Sequence, residues 1–99
     1  GRLRLDLRAQ RLLRDGAELP LTSGEFALLR IFAEHPHRVL SRDQLMDFLE
    51  GFERDPFDRS IDVRVTRLRR KIEPDPAHPV YIRTVRGEGY LFTPETGAD

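Results

Sequence analysis

Arginines at helical spacing are the residues of this chain best suited to chemistry. Residues 59–71 carry Arg59, Arg64, Arg67, Arg69, Arg70 and Lys71 against a single acid, Asp62. With Ile61 set at zero and about 100° per residue, Val65, Leu68 and Ile72 fall within about 40° of it and make one apolar stripe. Arg70 points the opposite way, with Arg59, Val63 and Thr66 near its direction and Arg67 at the margin of that face. Arg64 and Lys71 flank the stripe on one side, Asp62 and Arg69 on the other. A guanidinium is a planar fork that can make two hydrogen bonds to a guanine edge, and lysine has charge without the fork. The major groove of duplex DNA admits one such helix. Val63 and Arg67, with Thr66 and Arg64, are the candidates for base edges. Arg59, Arg69, Arg70 and Thr84, with Arg42 near an earlier helix start, are the candidates for phosphates. A merely solvated cationic face is the alternative on charge alone. Residues 43–58 carry Asp43, Asp47, Glu50, Glu53, Asp55 and Asp58 against Arg54, and the net charge is zero.

Other chemistry finds little support. His35 and His37 flank a proline and His78 is far off in sequence, so no metal-ligand spacing appears. Gly87-x-Gly89 lacks the third glycine of a dinucleotide fingerprint, and a strand follows it, so its glycines are expected to serve a turn. No serine sits in a nucleophile motif. The reading is therefore a binding module that is not an enzyme and needs no cofactor or metal. With no cysteine, disulfides and thiolate sites are excluded and a reducing compartment is expected. No apolar run reaches membrane-spanning length, and the start lacks a signal-peptide core, which points to the cytoplasm.

The elements that must position the arginines are legible in order. Leu3, Leu5 and Leu7 alternate with Arg2, Arg4, Asp6 and Arg8, the period of a half-buried strand. A second strand over 11–14 runs into Asp15-Gly16, a hairpin turn signal, and a third covers 17–21. Thr22-Ser23-Gly24-Glu25 fits a capping box ahead of Phe26, Leu29, Phe32 and Ala33, with Pro36 as the stop. Ser41-Arg42-Asp43-Gln44 fits a second, opening a helix with Leu45, Met46, Phe48 and Leu49 that ends near Gly51. The third helix is expected over 59–73, closed by Pro74, Pro76 and Pro79. Val80–Val85 and Tyr90–Thr93 around Arg86-Gly87-Glu88-Gly89 predict a hairpin. A capped helix, a connection, a basic helix and a hairpin form a helix-turn-helix with a wing, and Arg86 at the wing tip is the candidate for the minor groove. The fold class is thus α+β: an N-terminal antiparallel sheet, three helices and a C-terminal β-hairpin wing. Residues 1–94 are expected to form the domain and 95–99 a flexible tail.

Five segments carry a family resemblance: Leu21–Phe26, Leu40–Leu45, Asp58–Val63, Arg67–Ile72 and Thr84–Tyr90. In this order and spacing they resemble the winged helix-turn-helix effector domain of OmpR/PhoB response regulators, and Asp75-Pro76-Ala77-His78-Pro79 brings the likeness closer to the OmpR branch. The resemblance implies sequence-specific binding to double-stranded promoter DNA, with the third helix in the major groove and the wing in the minor groove. It also implies a receiver domain, absent from this chain, phosphorylated by a sensor kinase. Two copies are expected head-to-tail on direct repeats, and the isolated domain as a monomer, since no long apolar stripe remains exposed. Family members carry tryptophan where this chain has Glu50, so no DNA contact is assigned there. The loop Glu50–Phe57 is expected to contact an RNA polymerase subunit through Phe52, Glu53 and Arg54, because its acids would be repelled by phosphate. Phe52 and Phe57 are either docking anchors or residues that pack back onto the core. The rival function is a winged helix used for protein docking, without sequence-specific DNA binding. RNA is disfavoured, because the A-form groove excludes a helix.

Overall fold

The computed structural model describes residues 3–49 and 61–94. The chain begins with an antiparallel sheet of β1 (Leu3–Asp6), β2 (Arg11–Arg14) and β3 (Ala17–Leu19), in spatial order β1-β2-β3. Asp15 and Gly16 both take positive φ, which makes the tight turn that pairs Arg14 with Ala17. Leu3 and Leu5 turn toward the core, as their alternation predicts. Leu7 lies beyond the strand and is exposed, because the chain has already entered a turn there.

Helix α1 (Ser23–Glu34) starts at a complete capping box. The Glu25 amide donates to Thr22 Oγ1 at 3.1 Å, and the Thr22 amide donates to Glu25 Oε1 at 2.9 Å. The same reciprocal pair, Ser41 with Gln44, opens α2 (Arg42–Leu49). Between the two helices lies a two-residue strand, β4 (Val39–Leu40), which the sequence reading missed. It pairs with the C-terminal hairpin, giving a second sheet in the order β4-β6-β5. The hairpin strands are β5 (Ile82–Val85), shorter than predicted at its start, and β6 (Gly89–Phe92), which begins and ends one residue earlier than predicted.

Helix α3 covers Ile61–Ile72. Glu73 falls just past its end, although its amide still reaches the Arg69 carbonyl. Residues 59 and 60 lie outside the described residues. The predicted stripe is the core face: Ile61, Val65, Leu68 and Ile72 are buried against Leu28, Phe32, Leu40, Leu45, Ile82 and Tyr90 in one cluster. Fully burying each such side chain contributes about 1.5–3 kcal/mol, so the stripe fixes which face of α3 looks outward. Two polar ties hold the helix at its far end. The Lys71 ammonium lies 2.7 Å from Glu25 Oε1 on α1, and Arg14 on β2 donates to the Ile72 carbonyl. Among the described residues no helix is long and apolar enough to cross a membrane.

Candidate nucleic-acid interface

Burying the apolar stripe leaves Val63, Thr66, Arg67 and Arg70 exposed on the opposite side of α3, with Arg64 half-buried beside them. This is the surface that the arginine spacing predicted. Val63 is a large apolar residue on this face, at 41% exposure. Thr66 donates its hydroxyl hydrogen to the Asp62 carbonyl one turn back, which ties the hydroxyl to its own helix. Arg86 is exposed in the tip of the hairpin, where Gly87 takes φ +79° and the Glu88 amide closes the turn on the Val85 carbonyl.

The other candidates are held by neighbours. Arg42, expected to meet phosphate, places Nε 2.9 Å from Asp62 Oδ1, and its guanidinium lies over the Tyr90 ring at 5.4 Å. The Tyr90 hydroxyl donates to the same Asp62 oxygen. The bond from Tyr90 and then that from Arg42 hold the Asp62 carboxyl below its usual value, so it is an anion at neutral pH. Burial, reinforced by Asp62, pushes the Tyr90 phenol up. One carboxylate thereby links the first turn of α2, the first turn of α3 and the middle of β6.

Arg69, also expected to meet phosphate, reaches across to the hairpin. Its Nε and Nη2 donate to the Ile82 carbonyl at 3.0 and 2.7 Å, and Nη2 donates to Thr84 Oγ1 at 2.9 Å. Its guanidinium also lies over the Tyr90 ring, 5.4 Å from the centre, and burial lowers its pKa. Because Nε and Nη2 are engaged, a phosphate would have to be met from Nη1. Thr84 itself is exposed, with its hydroxyl already accepting from Arg69. Arg70 is exposed on the outer face. Arg59, Phe52, Glu53 and Arg54, with Glu50 and Phe57, lie outside the described residues.

Glu73 was read as the last residue of a helix and nothing more. It is the one charged side chain buried among the described residues, at 3% exposure. Its oxygens accept from the amides of Val80, Tyr81 and Ile82 at 2.8–3.1 Å. A sequence signal was available: an acid at a helix C-terminus opposes the helix dipole, so a structural partner should be sought for it. Arg83 was also missed. It is exposed on β5, beside the wing tip, and would be flagged by counting cations on the hairpin.

The histidines have local roles. His35 Nδ1 lies 2.8 Å from the Ile31 carbonyl and its ring stacks on Phe48, with centroids 4.8 Å apart. The His37 amide donates to the Phe92 carbonyl, and His78 pairs with Asp75 at 2.9 Å. Among the described residues no group of histidines and acids could hold a metal ion.

Residues 16–92 match the family model described as transcriptional regulatory protein, C terminal. The chain is 52% identical over 89 residues to the regulatory protein VirG of Agrobacterium fabrum, an alignment covering 89% of this chain and 35% of that relative. It is 51% identical over 89 residues to VirG of Rhizobium rhizogenes, covering 37% of it. The chain thus spans about a third of the length of the curated relatives it matches. Among solved structures it superposes on the DNA-binding domain of Klebsiella pneumoniae RstA in complex with the RstA box, with TM-score 0.81 and 36% identity over 95% of this chain and 93% of that one. The C-terminal effector domain of Acinetobacter baumannii BfmR gives TM-score 0.80 and 41% identity over 100% and 91%. DrrB, a Thermotoga maritima OmpR/PhoB homolog, gives 0.79 and 37% over 94% of this chain and 42% of that one.

Proposed function

The chain belongs to the transcriptional regulatory protein C-terminal family, winged-helix effector domains of OmpR/PhoB type, and on that premise we propose that it reads promoter DNA with α3 in the major groove and the β5–β6 wing in the minor groove. The observation that carries this is the division of α3: Ile61, Val65, Leu68 and Ile72 are buried, while Val63, Thr66, Arg67 and Arg70 are exposed. Arg67 and Val63 read base edges, the first by a bidentate fork and the second by contact with a thymine methyl. Thr66 and Arg64 border them. Arg70, Thr84, Arg59, the Nη1 end of Arg69 and Arg42 steady the backbone. Arg86 enters the minor groove.

The whole protein works as a response regulator in the cytoplasm, with a receiver domain phosphorylated by a sensor kinase. Two effector domains bind head-to-tail on direct repeats, and the isolated domain is a monomer. The 50–57 segment, through Phe52, Glu53 and Arg54, meets an RNA polymerase subunit. That assignment rests on the sequence and the family.

The test is selection of bound sites from a random duplex pool, followed by titration of the winning site and a scrambled one at fixed salt. A specific reader should prefer its site by about a thousandfold or more. Equal binding to both would make the basic helix a protein-docking surface instead.

A further inference from the structure

We propose that Glu73, acting with Arg69 one turn before it, is a positioning residue that fixes the angle between the recognition helix and the wing, so that both reach the duplex as one body. This rests on the DNA-reading function proposed above.

The geometry concentrates on one peptide. The Ile82 amide donates to Glu73 Oε2 at 2.8 Å, and the Ile82 carbonyl accepts from Arg69 Nε and Nη2 at 3.0 and 2.7 Å. The last turn of α3 and the residue just past its end therefore grip the first residue of β5 from both of its polar ends. The Val80 and Tyr81 amides also donate to Glu73, so the carboxylate closes a nest of three consecutive amides. Two residues further along β5, Thr84 Oγ1 accepts from Arg69 Nη2. From Thr84 the strand runs directly to the tip, where Arg86 stands.

The helix dipole gives no reason for an acid here, and the local contribution of the side chain is to accept from the amides of Val80, Tyr81 and Ile82. The position is the C-terminal end of α3, where the helix dipole disfavours an anion, and the side chain is buried, which costs free energy unless every lone pair is met. Proline at position 74 already ends the helix. What the carboxylate adds, beyond the apolar core that the α3 stripe shares with Ile82 and Tyr90, is a directional polar tie to the start of β5. Without it, the wing would still pair with β4 through β6 but could pivot about that ladder relative to α3. Tyr90 and Asp62 brace the other side, since Asp62 on α3 accepts from the Tyr90 hydroxyl on β6.

The variant is Glu73→Gln, which keeps the shape but turns one acceptor into a donor facing amide donors. On electrostatics alone, removing an anion should leave DNA binding equal or stronger. The inference expects the opposite on one side only. In selection from a random duplex pool, the preference at the wing side should fall by about fivefold or more, the low end of a single base-pair preference, while that under α3 and the salt slope hold. Binding is read well below the melting midpoint of each variant. If Glu73→Gln does not fold, Glu73→Asp keeps the charge and shortens the reach, and a partial loss confined to the wing side is expected. Equal discrimination on both sides, or a uniform loss of affinity with both preferences intact, overturns the inference. If the parent domain shows no preference at all, the DNA-reading function fails first and the inference falls with it.

Discussion

Gly89 tests the architecture more sharply than any charged residue. It takes φ +148°, a region that side chains rarely adopt, and a Cβ built on it would lie 2.1 Å from the Leu40 carbonyl oxygen. The Leu40 carbon and Ser41 Cα follow at 2.8 and 2.9 Å, so every atom in the way is backbone. Nothing flexible can yield. Gly89→Ala must push β4 away from β6, and the residue displaced next is Ser41, whose hydroxyl caps α2. Backbone strain of about 1–3 kcal/mol and overpacking of about 1–3 kcal/mol sum to a loss of about 2–6 kcal/mol. For a domain of this size that lowers the melting midpoint by about 8 °C or more. Gly87→Ala is the matched control. It has φ +79° but nothing within 4 Å of the added carbon, so only the backbone cost applies. Thermal unfolding followed by circular dichroism should rank the two variants clearly, Gly89→Ala the worse. A drop under about 4 °C for Gly89→Ala, or equal drops for both, would refute the steric reasoning.

Arg67→Ala should cost about 1–3 kcal/mol in binding and relax preference at one base position, measured by titration against single-base variants of the selected site. A uniform loss over all variants would move Arg67 to the phosphate class. If about five phosphates are neutralised per domain, log K should fall against log salt with a slope near −4 to −5, and a slope near zero contradicts the electrostatic account. Arg86→Ala should flatten preference on the wing side alone, and an unchanged binding profile would make the wing purely structural. For Glu25, burial raises the carboxyl pKa, but the bonds from Lys71 and the Thr22 amide outweigh it and leave the value lowered. A lowered carboxyl contributes stability that is present above the unfolded value of about 4.3 and is lost as pH falls through the folded value. Urea titrations should therefore show the Lys71→Met variant losing less stability than the parent between pH 5 and acid. Equal losses would mean the pair contributes nothing.

The sequence revealed elements wherever one local rule governs them. Two capping boxes, one Asp-Gly turn and one apolar stripe located α1, α2, the β2–β3 hairpin and the buried face of α3. The misses are long-range. A strand of two residues, Val39–Leu40, has no period to detect and exists only because β6 offers it a partner. Gly89 was assigned to the turn, whereas the close approach of that distant strand is what requires it. Arg69 and Asp62 were placed correctly on one flank of the stripe, but a helical wheel cannot say that the hairpin packs on that flank. Knowing that, their engagement with Ile82, Thr84 and Tyr90 would have followed. The pairing of Arg42 with Asp62 was likewise not legible, because the two lie twenty positions apart in sequence.

Zero net charge also takes on a different meaning once the acids are located. Glu25 holds Lys71, Asp62 holds Arg42, Glu18 lies 2.8 Å from Arg11, Glu34 lies 3.3 Å from Arg30, and Glu73 faces amides. These acids answer cations and amides that orient α3 and the wing or lie away from them. The outward face of α3 carries Arg67 and Arg70 with no acid at the same exposed positions 63, 66, 67 and 70. A formal sum over the chain averages these two populations and so hides the field a duplex would meet. Within a Debye length of about 8 Å at physiological salt, a phosphate responds to the local face and hardly to acids on the far side. The same reasoning makes Asp62 the sensitive acid. It stands in the first turn of α3, where Arg42 at 2.9 Å offsets its charge and Tyr90 keeps the pair oriented. Because the neutralising arginine comes from α2, the other helix of the motif, an anion at the start of α3 adds little net negative charge beside the outward face.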